Sequence, residues 1–454
     1  MTHSFRSVDR AIAVIAGVTT GLMLSGQIGR GFDYDESVAV FTVISRGSAK
    51  VALTETYVFN NHPLFAALQS EWWDLVGAGE TRQRILPVFF GALAVALLAG
   101  WCTRRFGALA GVSAAAIVIV NPMFVTNARA LRGYSLAMLG VVVAVLALVE
   151  YVRQGAPPNQ RGRKLLTLHA LGIVVAMGTH VFSGVAIGSV GFAALLILRT
   201  LDLRLVRTWL ISATVTVLLY LPTLRDLAST AETGSEFFRP WFGRAVLSEL
   251  LGRNTITAVA ISGLFVYAML TLIVSRCPRR SIGIAALFAT SLVAGQILFV
   301  WLLVSPVHLY PRFFLPVVPL VAAVASFAVS VRPALIVVVA VSVLVSLGQA
   351  LDERSRTTGH KDAGAIVSAV DFMGGRVCAV GGESLWVYAS GAPIAELSEF
   401  DRPPNDVFAE CDLFVRVGSW GRSLDGPAAE HFAHRTVIGE ILVFSVDPVG
   451  SPAP

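Results

Sequence analysis

Charge is what this sequence has least of. Only 14% of its 454 residues are Asp, Glu, Lys or Arg, against 55% hydrophobic residues, and the mean hydropathy is +0.72. A soluble globular chain carries about a quarter of its residues charged, so this composition excludes that class and makes the bilayer the main solvent. Lysine is confined to Lys50, Lys164 and Lys361. The arginines are dispersed among short segments between apolar runs. The net charge of +6 therefore reads as an orientation signal and not as a nucleic-acid surface. The four cysteines, Cys102, Cys277, Cys378 and Cys411, lack metal-like spacing. Heptads, low-complexity segments and repeats of about 20 to 50 residues are missing, which excludes coiled coils and solenoids. The first apolar run follows His3, Arg6 and Arg10 as a signal sequence would, but it lacks a small-x-small cleavage site and reads as a retained helix.

What is present is a series of long apolar runs, at 11–28, 85–101, 108–122, 134–151, 165–180, 181–198, 206–222, 256–274, 282–304, 313–329 and 334–348. They predict about eleven transmembrane helices. Arg104 and Arg105, the segment 153–164, Arg199, Arg204 and Arg207, Arg276, Arg279 and Arg280, and Arg332 fall on one side when the spans alternate. That side is the one holding the N-terminus, which places the N-terminus in the cytoplasm. The first loop, 29–84, the loop 224–255 and the tail then lie outside; a miscount at the tight turns 178–183 or 330–333 would flip the tail. After residue 350 the chain becomes polar, with a helix-like 362–373 ahead of β-rich runs at 377–380, 413–417 and 441–446. The expected architecture is a polytopic α-helical membrane domain over 1–350 and a small soluble extracytoplasmic α/β domain over 351–454. Outside the cytoplasm a disulfide between Cys378 and Cys411 is permitted, although sequence does not show that they approach each other.

The densest chemistry lies beyond the first span, where Asp33, Asp35 and Glu36 stand within the segment Gly31-Phe32-Asp33-Tyr34-Asp35-Glu36-Ser37. Carboxylates so close to hydrocarbon usually have a purpose, the blander alternative being a solvated loop or an acidic helix cap. Asn60-Asn61-His62-Pro63-Leu64-Phe65 follows and leads to Trp72 and Trp73. Those two indoles suit an interface anchor at least as well as a substrate contact.

Taken in order, these segments resemble the GT-C superfamily of membrane glycosyltransferases, and within it the family 39 group of protein O-mannosyltransferases and aminoarabinose transferases. Asp35-Glu36 matches that group's Asp-Glu pair, and Asn61-His62-Pro63-Leu64 its His-Pro segment, with Leu64 where a second proline is common. Arg84-Ile85-Leu86-Pro87 is an altered Arg-Leu-Pro helix opening. Asn121-Pro122 matches the third helix end, Leu131-Arg132-Gly133-Tyr134 the Ala-Arg-x-Tyr signature, Thr179-His180 a Thr-His motif, and Arg312-Phe313-Phe314-Leu315-Pro316 the late Arg-Tyr-Leu-x-Pro pattern. The ordered set covers about 30–320. Many relatives have an acidic residue where this chain has Ala130, so that role is lost or passes to Glu36 or Asp33.

The resemblance implies an inverting transfer of a sugar, hexose or pentose, from a polyprenyl-phosphate donor to a lipid, glycan or protein acceptor at the outer face of the plasma membrane. Asp35 is expected as the base for the acceptor hydroxyl. Arg132, His180 and Arg312 are expected, as guanidinium or imidazolium groups, on the departing phosphate. Glu36, His62, Tyr134 and Tyr310 are further substrate-binding candidates, with His308 beside them. The carboxylates are compatible with a divalent metal on oxygen ligands, but no spacing requires one, and no cofactor is assigned. Two other readings of a many-span chain are a membrane transporter of a lipid or small solute and a sensor with an outer domain. A transporter is recognised by inverted repeats and charges near the midplane, whereas here the ionisable groups gather at helix ends.

Overall fold

The computed structural model describes residues 2–26, 62–198, 202–223, 250–274 and 311–355, with parts of 28–54 and of 377–445. The chain forms two compact units. One is Met1–Gly26, Ala49–Gln69 and Arg84–Ser355, and the other is Gln27–Ser48, Ser70–Gln83 and Arg356–Pro454.

The first unit is helical. Its helices, of which α3 ends and α4 begins within the second unit's Ser70–Gln83, are α1 (Thr2–Leu24), α2 (Ala49–Thr54), α3 (Pro63–Val76), α4 (Glu80–Phe106), α5 (Ala108–Ile119), α6 (Pro122–Ala128), α7 (Tyr134–Arg153), α8 (Gln160–Thr179), α9 (Ser183–Leu198), α10 (Leu203–Tyr220), α11 (Thr255–Val274), α12 (Val318–Val331) and α13 (Ile336–Ser355). Every predicted span falls on helix except 282–304, which lies outside the described residues. The expected count of eleven is not reached among the described residues. Six helices are long and apolar enough to cross a membrane, or seven if α5 and α6, bent by 68°, form one span. The shortfall has a physical cause: α8 opens on Arg161, Arg163 and Lys164, and α9 and α11 present only the shorter apolar stretches Ser183–Phe192 and Thr255–Ala268. The bend occurs where the sequence places Asn121-Pro122. The Asn121 side chain accepts from Phe124 N at 3.1 Å and donates to Leu250 O at 3.1 Å, while Pro122 at the first helical position needs no hydrogen-bond acceptor.

Helices α7 and α8 form an antiparallel pair whose backbones touch. A Cβ on Gly140 would lie 2.5 Å from Ala176 N, and one on Gly172 2.5 Å from Ala144 N. Gly140-xxx-Ala144 thus faces Gly172-xxx-Ala176, the small-residue pairing that lets membrane helices approach. His169 of α8 donates from Nδ1 to Ala144 O and accepts on Nε2 from the indole of Trp209, both at 2.9 Å, which ties α10 to the pair.

The two ends of this unit differ in chemistry. At one end the carboxylate of Glu150 is bound by Arg105, by Arg153 at 3.1 Å and by the Trp101 indole at 3.1 Å, and Arg104 pairs with Asp9 at 3.5 Å. The opposite end gathers the start of α7 and the end of α8. There Arg129 donates to Gly26 O at 2.6 Å and to Arg354 O at 2.7 Å, so α1 and α13 both finish at that end.

In the second unit, Glu36 is fully buried and pairs with Arg30 at 3.9 Å, and the Trp72 indole donates to Arg82 O at 2.9 Å. The strands are β1 (Val377–Val380), β2 (Ile394–Glu396), β3 (Leu413–Val417), β4 (His434–Ile438) and β5 (Ile441–Ser445), in the order β2-β1-β3-β5-β4. The β1 strand runs parallel to β2 and β3, while β5 is antiparallel to β3 and β4. Three strands lie on the β-rich runs of the sequence, whereas 362–373 lies outside the described residues. Cys378, opposite Phe414, is buried and disulfide-bonded, while Cys411 lies outside the described residues.

Candidate functional site

Six polar residues, drawn from separate parts of the sequence, meet at the end of the first unit where α1 and α13 finish. Tyr134 is the first residue of α7, with Arg132 just before it; Thr179 ends α8 and His180 caps it; His62 precedes α3; Arg312 lies in the 3-10 segment Pro311–Val317 ahead of α12. The antiparallel α7–α8 pair is what brings the Leu131-Arg132-Gly133-Tyr134 and Thr179-His180 motifs together. Gly133 permits the closest approach: a Cβ there would meet Thr179 Cγ2 at 2.4 Å and His62 Cβ and Cγ at 3.0 Å.

His62 donates from Nδ1 to Thr179 O at 2.9 Å. Its ring stands edge-on to Tyr134, with centroids 5.1 Å apart, and lies 5.1 Å from His180, which is 5.6 Å from Tyr134. Phe182 and Phe313 stack at 4.9 Å and 8°, and Phe313 is 5.0 Å from His180, giving the cluster an apolar wall. His62, Arg132, Tyr134, Thr179 and His180 are all buried. Among the described residues, His62 Nε2, Tyr134 Oη, Thr179 Oγ1 and His180 Nδ1 have no hydrogen-bond partner. Four orphaned polar atoms in one cluster make a site that a polar ligand would complete.

Burial, then the guanidinium of Arg132 and the neighbouring His180, hold His62 well below its ordinary value of 6.5; the Thr179 contact opposes this, and Arg312 adds to the lowering. His180, in the turn between α8 and α9, is lowered by burial and then by Arg132 and Arg312. Both rings are thus neutral at pH 7 in the protein alone, so the imidazolium form entertained for His180 is disfavoured and the positive charge rests on the two arginines. That both arginines act on His180 places them around the same ring.

Of the candidates read from sequence, His62, Arg132, Tyr134, His180 and Arg312 come together. Glu36 is occupied with Arg30 in the other unit. Asp33, Asp35, His308 and Tyr310 lie outside the described residues. The sequence reading missed Phe182 and Phe313 as a stacked pair, and missed Thr179 as an acceptor for His62. The Thr179-His180 motif signalled the position but not the partner. Among the described residues no group of three His, Cys, Asp or Glu side chains forms a metal-binding arrangement.

A family model described as dolichyl-phosphate-mannose-protein mannosyltransferase matches residues 50–230, which include His62, Arg132, Tyr134 and His180. No curated protein matches the chain by sequence. Among solved structures, the fold is similar to ArnT from Cupriavidus metallidurans in the apo state, with a TM-score of 0.62, 14% identity and coverage of 96% of this chain and 98% of that one. The same protein bound to undecaprenyl phosphate gives 0.63, 14%, 98% and 99%. The Archaeoglobus fulgidus oligosaccharyltransferase in complex with Zn and sulfate gives 0.59, 12%, 93% and 71%. In its fold and in the order of its motifs, the chain resembles the GT-C superfamily of membrane glycosyltransferases, and within it the family 39 group of protein O-mannosyltransferases and aminoarabinose transferases.

Proposed function

We propose that this protein is an inverting glycosyltransferase that moves a sugar from a polyprenyl-phosphate donor to an acceptor hydroxyl at the outer face of the plasma membrane. The observation that carries the reading is the meeting of Arg132, Arg312, His180, His62 and Tyr134 at the outer helix ends. The donor is a phosphodiester whose phosphate stays at the membrane surface. Arg132 and Arg312 hold that phosphate and offset the charge it gains as the anomeric C–O bond breaks. The acceptor oxygen forms the new bond from the opposite face and gives its proton to Asp35, yielding the inverted glycoside and polyprenyl phosphate. The Phe182–Phe313 wall suits the apolar beginning of the polyprenyl chain beside the phosphate.

In this reading residues 1–350 form the catalytic membrane domain, residues 351–454 form a soluble extracytoplasmic domain, and the N-terminus is cytoplasmic. The arginine-rich end formed by Arg104, Arg105 and Arg153 supports that orientation. The bonded Cys378 supports an oxidising location for the tail. The test is transfer of radiolabelled sugar by the purified protein from polyprenyl-phosphate mannose or arabinose. Transfer that falls at least about 100-fold in Arg132→Gln supports the reading. Absence of transfer from every polyprenyl donor reopens the transporter.

A further inference from the structure

The hydrogen bond of His62 fixes its tautomer. A backbone carbonyl can only accept, so in the 2.9 Å contact with Thr179 O the hydrogen is on Nδ1. In the neutral ring Nε2 then carries a lone pair and no hydrogen. That atom is buried without a partner among the described residues, and the Tyr134 and Thr179 hydroxyls nearby are themselves unpartnered and do not bond to it. The ring is wedged between Tyr134 and the backbone at Gly133, so it is held in place. A phosphodiester offers only acceptor oxygens and cannot satisfy such a nitrogen; a hydroxyl can.

We infer that His62 Nε2 accepts a hydrogen bond from a hydroxyl of the donor's sugar, next to the phosphate held by Arg132 and Arg312, and thereby determines which hydroxylated sugar the site accepts. This rests on the glycosyltransferase reading and adds a specificity-determining residue to it. Tyr134 Oη and Thr179 Oγ1 can donate to ring or phosphate oxygens of the same donor. The acceptor's hydroxyl is left to Asp35.

The experiment compares wild type, His62→Asn and His62→Gln on polyprenyl-phosphate mannose or arabinose, whichever wild type uses, and on its monodeoxy analogues. Asn keeps a donor for Thr179 O but removes the acceptor at the Nε2 position, whereas Gln places an amide oxygen there. Wild type is expected to disfavour one deoxy analogue by about 10- to 100-fold in kcat/KM, the cost of an unsatisfied buried acceptor. His62→Asn should lose a similar factor on the parent sugar and treat that analogue and the parent alike within about twofold, with Gln recovering part of the loss and of the selectivity. If His62→Asn does not fold, the wild-type and His62→Gln selectivities alone decide, a missing deoxy penalty in wild type overturning the inference. Equal losses on all donors with selectivity intact would overturn it too, as would coupling to a deoxy acceptor in place of a deoxy donor. Failure of wild type to transfer from any polyprenyl donor is a separate result that removes the underlying reading.

Discussion

Replacing Gly172 by alanine adds one methyl group where α7 and α8 touch backbone to backbone. The new Cβ would stand 2.5 Å from Ala144 N, 2.7 Å from Gly140 O and 2.8 Å from Ala144 Cα, whereas ordinary contact begins at 3.4 Å. All three atoms are backbone, so no side chain can swing away and the helices must part by roughly 1 Å. Overpacking of this kind costs about 1–3 kcal/mol, a fall of roughly 2–10 °C in Tm. The same displacement separates Thr179 and His180 from Arg132 and Tyr134, and a misplacement of about 1 Å reduces turnover about 100-fold. Melting of the detergent-purified protein, followed by tryptophan fluorescence, and sugar transfer are measured side by side. Gly188→Ala on α9 is the control, because among the described residues nothing lies within 4 Å of its Cβ position. It should be neutral or stabilising by up to about 1 kcal/mol, since alanine favours helix over glycine. A Gly172→Ala protein that melts and transfers like wild type, or a Gly188→Ala protein that loses as much, refutes the backbone-contact account.

Three further outcomes are expected. Arg132→Lys and Arg312→Lys keep the charge but not the planar fork, so each should lower kcat/KM for the donor by about 10-fold or more without a change in Tm; full activity in both contradicts the phosphate assignment. His62 and His180 are held neutral when folded, so below their ordinary value of 6.5 the unfolded chain takes up protons that the folded chain refuses. The stability these rings contribute is therefore present above pH 6.5 and lost as pH falls, by about 2 kcal/mol at pH 5 for His180, which is held at about 3. With Arg132, Arg312 and Tyr134 unchanged around them, Tm should drop between pH 7 and 5 less steeply in His180→Asn than in wild type, and parallel curves contradict this. In peptide maps without reduction, Cys378 should appear only in a disulfide-linked peptide and buried Cys102 as a free thiol; alkylation of Cys378 in unreduced membranes contradicts the bonded assignment.

Much of the helical unit was legible because bilayer-length apolar runs announce themselves, and because Asn121-Pro122 carries both a cap and a break. The sequence also marked Arg132, Tyr134, His180 and Arg312 as helix-end groups. It could not show that they share one site, since this depends on Gly140 and Gly172 facing each other across α7 and α8, and a glycine in an apolar run gives no sign of its partner. The span count is harder to read, because α8 mixes Arg161, Arg163 and Lys164 with its apolar stretch and α9 and α11 are apolar over shorter lengths. The carbonyl of Thr179 as the partner of His62 was invisible for a different reason: main-chain acceptors have no residue signature. Neutral imidazoles beside two guanidiniums likewise follow from burial, which only the fold reveals.

The most direct test of the central claim is the initial rate of labelled-sugar transfer from the polyprenyl-phosphate donor by wild type and by Asp35→Asn at matched expression. The account predicts transfer by wild type and a loss of about 100- to 10,000-fold in Asp35→Asn, the range for a missing general base. Equal rates in the two proteins would contradict it.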